Sequence, residues 1–302
     1  MVDLIIIGAG PAGMTAAIYA CRSGLSVQVL DKFSYGGQVA LTSEVENYPG
    51  VLNANGSELS QLFYQQAKAA GAEFISGDIN RVELTGKNKK VYTRRQAFEA
   101  HAVIIANGVT RRKIGCPGES EFSGRGVSYC ATCDGAFYKG KDVVVVGGGN
   151  TAIEDALYLS AICRKVYVVH RRETFRAEKH LVDALKRKDN VQYILNATVA
   201  EICGQEMVQC VRCNTPGGER KIEVNAVFVA IGALPDNSIY TAEVNIDNEG
   251  YFDAGEDCKT NVPGVFVAGD CRRKPIKQIV TATADGAVAA TFAAEYIHSM
   301  EK

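Results

Sequence analysis

Apolar residues in this chain gather in short, nearly unbroken runs rather than in steady alternation. Leu4-Ile5-Ile6-Ile7, Val103-Ile104-Ile105-Ala106, Val143-Val144-Val145-Val146, Val227-Phe228-Val229-Ala230 and Val265-Phe266-Val267-Ala268 are of this kind. Short runs rich in β-branched residues read as strands buried on both faces, as in a parallel sheet. Helical stretches follow several of them, so the pattern predicts an α/β protein with doubly wound, Rossmann-like sheets. Two stretches read differently. From Ile79 to Val103 and from Thr198 to Val229, short β-like runs are broken by Gly86-Lys87-Asn88 and by Pro216-Gly217-Gly218. Each predicts a small antiparallel β-meander. The alanine-rich stretch from about Thr281 to His298 predicts a final amphipathic helix.

An internal repeat organises these elements. The first copy runs from Leu4 through Gly8-Ala9-Gly10-Pro11-Ala12-Gly13 and a helix to Ser26-Val27-Gln28-Val29-Leu30-Asp31. The second runs from Val143 through Gly147-Gly148-Gly149-Asn150-Thr151-Ala152 and a helix to Lys165-Val166-Tyr167-Val168-Val169-His170. Gly8 and Asp31 stand 23 positions apart, as do Gly147 and His170. Each copy closes on a similar strand and turn, ending at Gly108 and at Gly232. A third such strand ends at Gly269-Asp270 without a glycine loop before it. The expected organisation is one dinucleotide-binding domain inserted into another: residues 1–112 and 242–302 form the first, and residues 113–241 form the second.

Composition narrows the function classes. The 302 residues are 47% hydrophobic, enough for two domains with substantial cores. A formal net charge of -1 and the lack of a long basic tract argue against nucleic-acid binding. The chain enters a strand at Asp3 with no basic n-region, and no apolar run is long enough to span a bilayer. A soluble, cytoplasmic protein is expected. Its ten cysteines then read mostly as reduced thiols, with Cys21, Cys116, Cys163, Cys258 and Cys271 as structural residues.

In the first glycine loop, Gly8 permits the tight turn, Gly10 lets the backbone reach a pyrophosphate, and Gly13 lets helix and strand pack closely. The helix N-terminus then faces the phosphates. Asp31 ends the next strand, where a carboxylate can bind a ribose diol. In the second loop, Gly147, Gly149, Asn150 and Thr151 hold the equivalent positions, but His170 replaces the acid and is followed by Arg171, Arg172 and Arg176. A guanidinium cluster suits a 2′-phosphate, so this site is expected to prefer NADPH. The alternative is a solvated basic turn.

Cys130 and Cys133, in Cys130-Ala131-Thr132-Cys133-Asp134, lie just upstream of the second loop. Two cysteines at this spacing can close a reducible disulfide, and Asp134 is placed to exchange a proton with it. A hydride donor and a dithiol require a two-electron intermediary, which makes FAD the expected occupant of the first site. Asp270 would meet its ribityl chain, and Gln278 and Ile279 precede the last helix, whose dipole favours negative charge on a reduced flavin. A zinc half-site is the alternative for the cysteine pair, and it needs a second pair such as Cys210 and Cys213. Those two otherwise read as chance thiols or an accessory redox pair.

Taken together, Gly36-Gly37-Gln38, Glu44-Val45-Glu46-Asn47-Tyr48-Pro49-Gly50, Cys130-Ala131-Thr132-Cys133-Asp134-Gly135, His170-Arg171-Arg172 with Phe175-Arg176, and Gly264 to Asp270 resemble the low-molecular-weight thioredoxin reductases. The resemblance covers essentially the whole chain. It implies a homodimeric FAD enzyme that reduces thioredoxin with NADPH and whose domains alternate between two orientations. By match of motif, Cys130 attacks the substrate disulfide, Cys133 lies against the flavin, Asp134 is the acid/base, and Gly37, Gln38 and Asn47 hold FAD. The chain departs from the family at Asp31 (usually Glu), Asn107 (commonly Thr), Lys277-Gln278-Ile279 (usually Arg-Gln-Ala) and Ala136-Phe137 (often an aromatic pair). Three rivals differ in what they require. A flavoprotein passing electrons to ferredoxin or oxygen needs no C-x-x-C, and a ferredoxin-fed reductase needs no arginine cluster. A non-catalytic nucleotide sensor needs no Cys130, Cys133 and Asp134 together.

Overall fold

The computed structural model describes residues 1–300 except 33–34, 43–44 and 53, with Leu41 described by its backbone alone; Glu44 of the motif above lies outside the described residues. The chain divides into two compact units, Met1–Thr110 with Leu234–Lys302, and Arg111–Ala233. The return crossing falls at 233/234, earlier than the 241/242 expected from the repeat. Residues 234–241 belong with the first unit because Tyr240 is buried in that unit's core, edge-on to Phe252.

In the first unit, parallel strands run in the order Glu73–Ser76, Val27–Asp31, Val2–Ile7, Ala97–Ile105. The long strand Ala97–Ile105 serves two partners along its other edge. Its first half pairs antiparallel with Lys89–Thr93, and its second half pairs parallel with Val265–Val267. Ile79–Glu83 completes the meander. Successive residues of Val2–Ile7 face opposite sides: Leu4 and Ile6 join one core, Ile5 and Ile7 the other. With both faces covered, an unbroken apolar run is the physically required sequence.

One face carries helices Pro11–Arg22 and Ile279–Met300. The latter buries Ala282, Gly286, Ala289, Ala290, Ala293 and Ile297, a helical stripe of small residues. Small residues are needed here, because a Cβ on Gly286 would meet the backbone carbonyl of Ala12. The helix starts at Ile279, two positions before the expected start, so Ile279 lies inside its first turn rather than before it. The other face is covered by the meander and by Tyr240, Val244, Phe252 and Val262.

The second unit repeats the plan. Its parallel sheet runs Val191–Ile194, Lys165–Val169, Asp142–Val146, Ala226–Val229, Val127–Ser128. Val143 and Val145 pack under helices Asn150–Ile162 and Lys179–Lys186. Val144 and Val146 pack under a separate antiparallel meander, Thr198–Gly204, Val208–Thr215 and Gly218–Glu223. Both units are therefore α/β dinucleotide-type folds with an antiparallel meander, as the hydrophobic pattern predicts. Among the described residues, no helix is long and apolar enough to cross a membrane.

Candidate active site

The two glycine loops solve the same geometric problem. Gly8 has φ +107°, and a Cβ there would strike the carbonyl of Ala106, at the end of the neighbouring strand. Gly147 has φ +152°, and its Cβ would strike the carbonyl of Ala230 in the equivalent place. Gly13 packs against the carbonyl of Gly8, where no side chain fits. Gly10 and Gly149, by contrast, face open space, each as the cap residue of a helix with no side-chain cap. The first-turn amide donors are thus left for an external acceptor. Ala12 is the second helical residue, and Ala152 replaces the third glycine in the second copy, its side chain filling the space beside Gly147.

Around the first loop, long-range contacts gather residues that are distant in sequence. Gly36 donates its N–H to the carbonyl of Ala9 (2.7 Å), and Gly37 comes up beside Gly10, bringing Gln38 to the same end of the sheet. Asn47 donates from Nδ2 to Oε1 of Gln278 (3.1 Å), across 231 positions. Gly269 adopts φ +81° against the side chain of Ala12, so the Gly269-Asp270 turn sits at the helix N-terminus. Lys277 stacks its ammonium on Tyr251, 3.4 Å from the ring centre. Gly108 turns the chain with φ +64° and open space above it. Beside it, Asn107 donates from Nδ2 to Asn237 Oδ1 and the carbonyl of Asp236, while its buried Oδ1 accepts no hydrogen bond among the described residues. An open acceptor, two glycines facing free space and an uncapped helix suit an extended polar ligand such as a dinucleotide.

Asp31 has a role that the sequence does not show. Its Oδ2 accepts the N–H of Ala9 at 2.6 Å, so the carboxylate braces the glycine loop itself. Asp285 belongs to no motif that the sequence displays. Buried on the last helix, it accepts from the N–H of Gly269 (2.9 Å), from Arg272 Nε and Nη2 (2.9 Å each) and from Lys274 Nζ (2.8 Å). Burial alone would raise its pKa, but the bonds from Arg272 and Lys274 hold it below the usual carboxylate value. Its only sequence signal is an acid interrupting an apolar helical stripe.

In the second unit, His170 is buried beneath the loop, where a Cβ on Gly148 would meet its ring. It stacks on Phe175, and its Nε2 lies 3.1 Å from the carbonyl of Thr174. A carbonyl only accepts, so Nε2 carries the proton. Burial, reinforced by the nearby arginines, lowers its pKa and keeps the ring neutral. His170 therefore shapes the turn from beneath rather than adding charge. Arg176 donates its N–H to the carbonyl of Gly148 (2.7 Å), which brings the basic turn to the glycine loop. Arg171, Arg172 and Arg176 are exposed, as is Thr151. Asn150 and Glu178 pair reciprocally, through Asn150 Nδ2 to Glu178 Oε1 (3.0 Å) and Glu178 N–H to Asn150 Oδ1 (2.9 Å).

Cys130 and Cys133 form a disulfide, with Cα atoms 5.3 Å apart. Cys130 caps the one-turn helix Ala131–Asp134, whose return bonds run from the N–H groups of Cys133 and Asp134 to the carbonyl of Cys130 (3.3 and 3.1 Å). So short a helix contributes little dipole. Ser128, which the motif does not predict, organises the site. Its hydroxyl donates to Asp134 Oδ2 (2.5 Å) and accepts the N–H of Cys130 (3.1 Å). Burial raises the pKa of Asp134, and the Ser128 bond offsets this in part. Oδ1 of Asp134 has no hydrogen-bond partner among the described residues. Burial thus tilts the group toward its protonated form, one residue from the disulfide. Next to Cys130, Tyr129 donates to Glu119 Oε1 (2.9 Å), and the buried Glu119 also receives the N–H groups of Ile114 and Gly115. Cys210 is paired with Cys203 on the adjacent strand, and Cys213 is a free, buried thiol. The second C-x-x-C is thus not a redox pair of its own.

The chain matches the pyridine nucleotide-disulphide oxidoreductase family over residues 2–286. It is 44% identical to a thioredoxin reductase of Listeria innocua over 99% of this chain and 95% of that protein. The crystal structure of a thioredoxin reductase from Streptococcus pyogenes, 41% identical, superposes with a TM-score of 0.95 over 99% of each chain. A ferredoxin-flavin thioredoxin reductase from Clostridium acetobutylicum, 30% identical, superposes with a TM-score of 0.54 over 99% of this chain and 98% of that one. Two glycine loops in repeated units, a disulfide beside a buried acid, and this full-length similarity agree: the chain belongs to the pyridine nucleotide-disulphide oxidoreductases, among the thioredoxin reductases.

Proposed function

We propose that the protein is an NADPH-dependent, FAD-containing thioredoxin-disulfide reductase. The observation that carries this reading is the Cys130–Cys133 disulfide beside Asp134, in the same unit as a glycine loop flanked by three arginines. FAD would be held by the first unit, through Gly8, Gly10, Ala12, Gly13, Asp31, Gly37, Gln38, Asn47, Gly108, Gly269, Asp270, Lys277, Gln278 and Ile279. NADPH would be held by Gly147, Gly149, Asn150 and Thr151, with the 2′-phosphate on Arg171, Arg172 and Arg176 above the buried His170. When bound, the two cofactors supply a hydride equivalent that reduces the disulfide to a dithiol.

The remaining steps belong to the chain's own residues. The Cys130 thiolate attacks one sulfur of the substrate disulfide, which forms a mixed disulfide and releases the other sulfur as a thiolate. Asp134, inclined to hold a proton by its burial, delivers it to that leaving sulfur. Cys133 then attacks Cys130 Sγ, the intramolecular disulfide re-forms, and the second substrate sulfur is freed. Ser128 positions both groups, through the Cys130 amide and the Asp134 carboxyl. The reading includes a cytoplasmic homodimer, supported by the resemblance to the family; light scattering on the eluted protein tests the dimer.

The arginine cluster favours NADPH over ferredoxin as the electron source, because a ferredoxin-fed enzyme has no 2′-phosphate to bind. The purified protein should be yellow, bleach on addition of NADPH and recover with oxidised thioredoxin. A protein that bleaches with reduced ferredoxin but not with NADPH overturns the reading.

A further inference from the structure

We propose that Cys203 and Cys210 are a second thiol–disulfide site, chemically separate from Cys130–Cys133, that opens and closes in response to low-molecular-weight disulfides of the glutathione class. The two cysteines are direct cross-strand partners in the antiparallel pair Thr198–Gly204 and Val208–Thr215. Their Cα atoms are 5.1 Å apart and they are joined in the structure. That separation lies in the range a disulfide spans without moving the backbone. Cys213 does not compete. Three positions along a strand it points to the opposite face, where it is buried opposite Val199.

The two thiols differ in access. Cys203 is half-buried at the edge of the hairpin, whereas Cys210 is buried. Cys203 is therefore the thiol that an external disulfide can reach, and Cys210 the one that resolves. The Cys203 thiolate attacks one sulfur of the oxidant and expels the other as a thiolate. The Cys210 thiolate then attacks Cys203 Sγ and expels the second thiolate. Two electrons pass to the oxidant, two protons leave the cysteines, and the hairpin closes. Reduction by two equivalents of the thiol reverses both steps. A disulfide in a protein that handles reducing equivalents in a thiol-rich compartment is expected to be transient and redox-responsive rather than a permanent staple. This clause rests on the proposed function; the geometry does not.

Closure has a structural reader. The hairpin's exposed turn, Gln205-Glu206-Met207, leads into Val208, whose N–H bonds the carbonyl of Arg125 (3.0 Å) and whose side chain occupies the space over Gly126. Gly126 leads directly into the strand Val127–Ser128, and Ser128 holds Cys130 and Asp134. The second pair thus closes a hairpin that backs the strand carrying the first.

The test reads mass, not turnover, so its outcome is independent of whether the protein reduces thioredoxin. Trypsin cuts after Lys188 and Arg212, and the peptide Asp189–Arg212 contains Cys203 and Cys210 as its sole cysteines. The full-length, FAD-loaded protein is equilibrated in glutathione buffers from reduced to oxidised, acid-quenched, alkylated and digested. The expected peptide carries two alkyl groups in reducing buffer and none in oxidising buffer, where it is lighter than the dithiol form by two hydrogens. Returning the folded protein to reducing buffer should restore both alkyl groups. In Cys210→Ser, a glutathione adduct should accumulate on Cys203; in Cys203→Ser, Cys210 should stay unmodified. Two alkyl groups in the most oxidising buffer overturn the proposal. So does a peptide that stays closed under excess dithiothreitol in the folded protein, or an adduct on Cys210 with none on Cys203.

Discussion

Removing Arg171 and Arg176 should strip away most of a strong preference for NADPH, leaving what Arg172 alone supports. Both side chains are exposed beside the second glycine loop, and neither forms an ion pair among the described residues. No carboxylate therefore has to be displaced when a phosphate arrives. His170 adds no charge, because burial keeps it neutral. A hydrogen bond to a charged group contributes about 1.5–3 kcal/mol, and an exposed ion pair about 0.2–1. A guanidinium on a dianionic phosphate at an exposed site falls between these ranges, at about 1–1.5 kcal/mol each. The pair then accounts for about 2–3 kcal/mol, or roughly 30–150-fold in the NADPH/NADH ratio. Stopped-flow bleaching of the flavin band, with each nucleotide varied, measures kcat/KM for the reductive half-reaction in Arg171→Ala/Arg176→Ala. NADH values should stay within a few-fold of the parent. Raising the ionic strength should erode the parent's preference more than the variant's, in which Arg172 alone remains to pair with the phosphate, since screening acts on the charge pairing. An unchanged NADPH/NADH ratio, or an equal loss for both nucleotides, would refute the assignment.

Three further outcomes follow from the same structure. Cys130→Ser and Cys133→Ser should each abolish thioredoxin reduction yet keep NADPH-driven bleaching; loss of bleaching in a folded, FAD-loaded variant would contradict the order of steps. Asp134→Asn should slow thioredoxin turnover by about 10²-fold or more while flavin reduction persists. Because burial raises this acid's pKa, the proton-delivering form is lost as pH rises through a value above the ordinary carboxylate range, so the parent's rate should fall there and the variant's profile should be flat. Asp285→Asn leaves buried Lys274 without its counter-charge and Arg272 with only the exposed Glu256, and denaturant unfolding should show a loss of about 3–5 kcal/mol together with weaker FAD retention. The folded-state pKa of Asp285 is depressed, so its contribution is present above the unfolded value near 3.8 and is lost as pH falls through the lower folded value; the parent and variant curves should converge in strong acid.

The elements of this protein were legible because their signals are local. Leu4 to Ile7 and Val143 to Val146 read as doubly covered strands since a two-faced core demands apolar residues at every position. Gly8, Gly13 and Gly147 mark places where a Cβ would strike a neighbouring backbone carbonyl or a packed side chain, and that demand is visible in the residue type. The 23-residue interval repeated between the two loops exposed the duplication. Tertiary structure decided the rest, through contacts that no spacing records. Asp31 turned back to brace Ala9, and His170 went under Gly148. Ser128 came to hold Asp134 through a short hydrogen bond, and Glu119 gathered Tyr129 with Ile114 and Gly115. Cys210 joined Cys203 instead of Cys213, because antiparallel register sets cross-strand partners and a strand sends residues three apart to opposite faces. A polar side chain's partner depends on which strands and helices are brought together, and that is settled only when the whole chain packs.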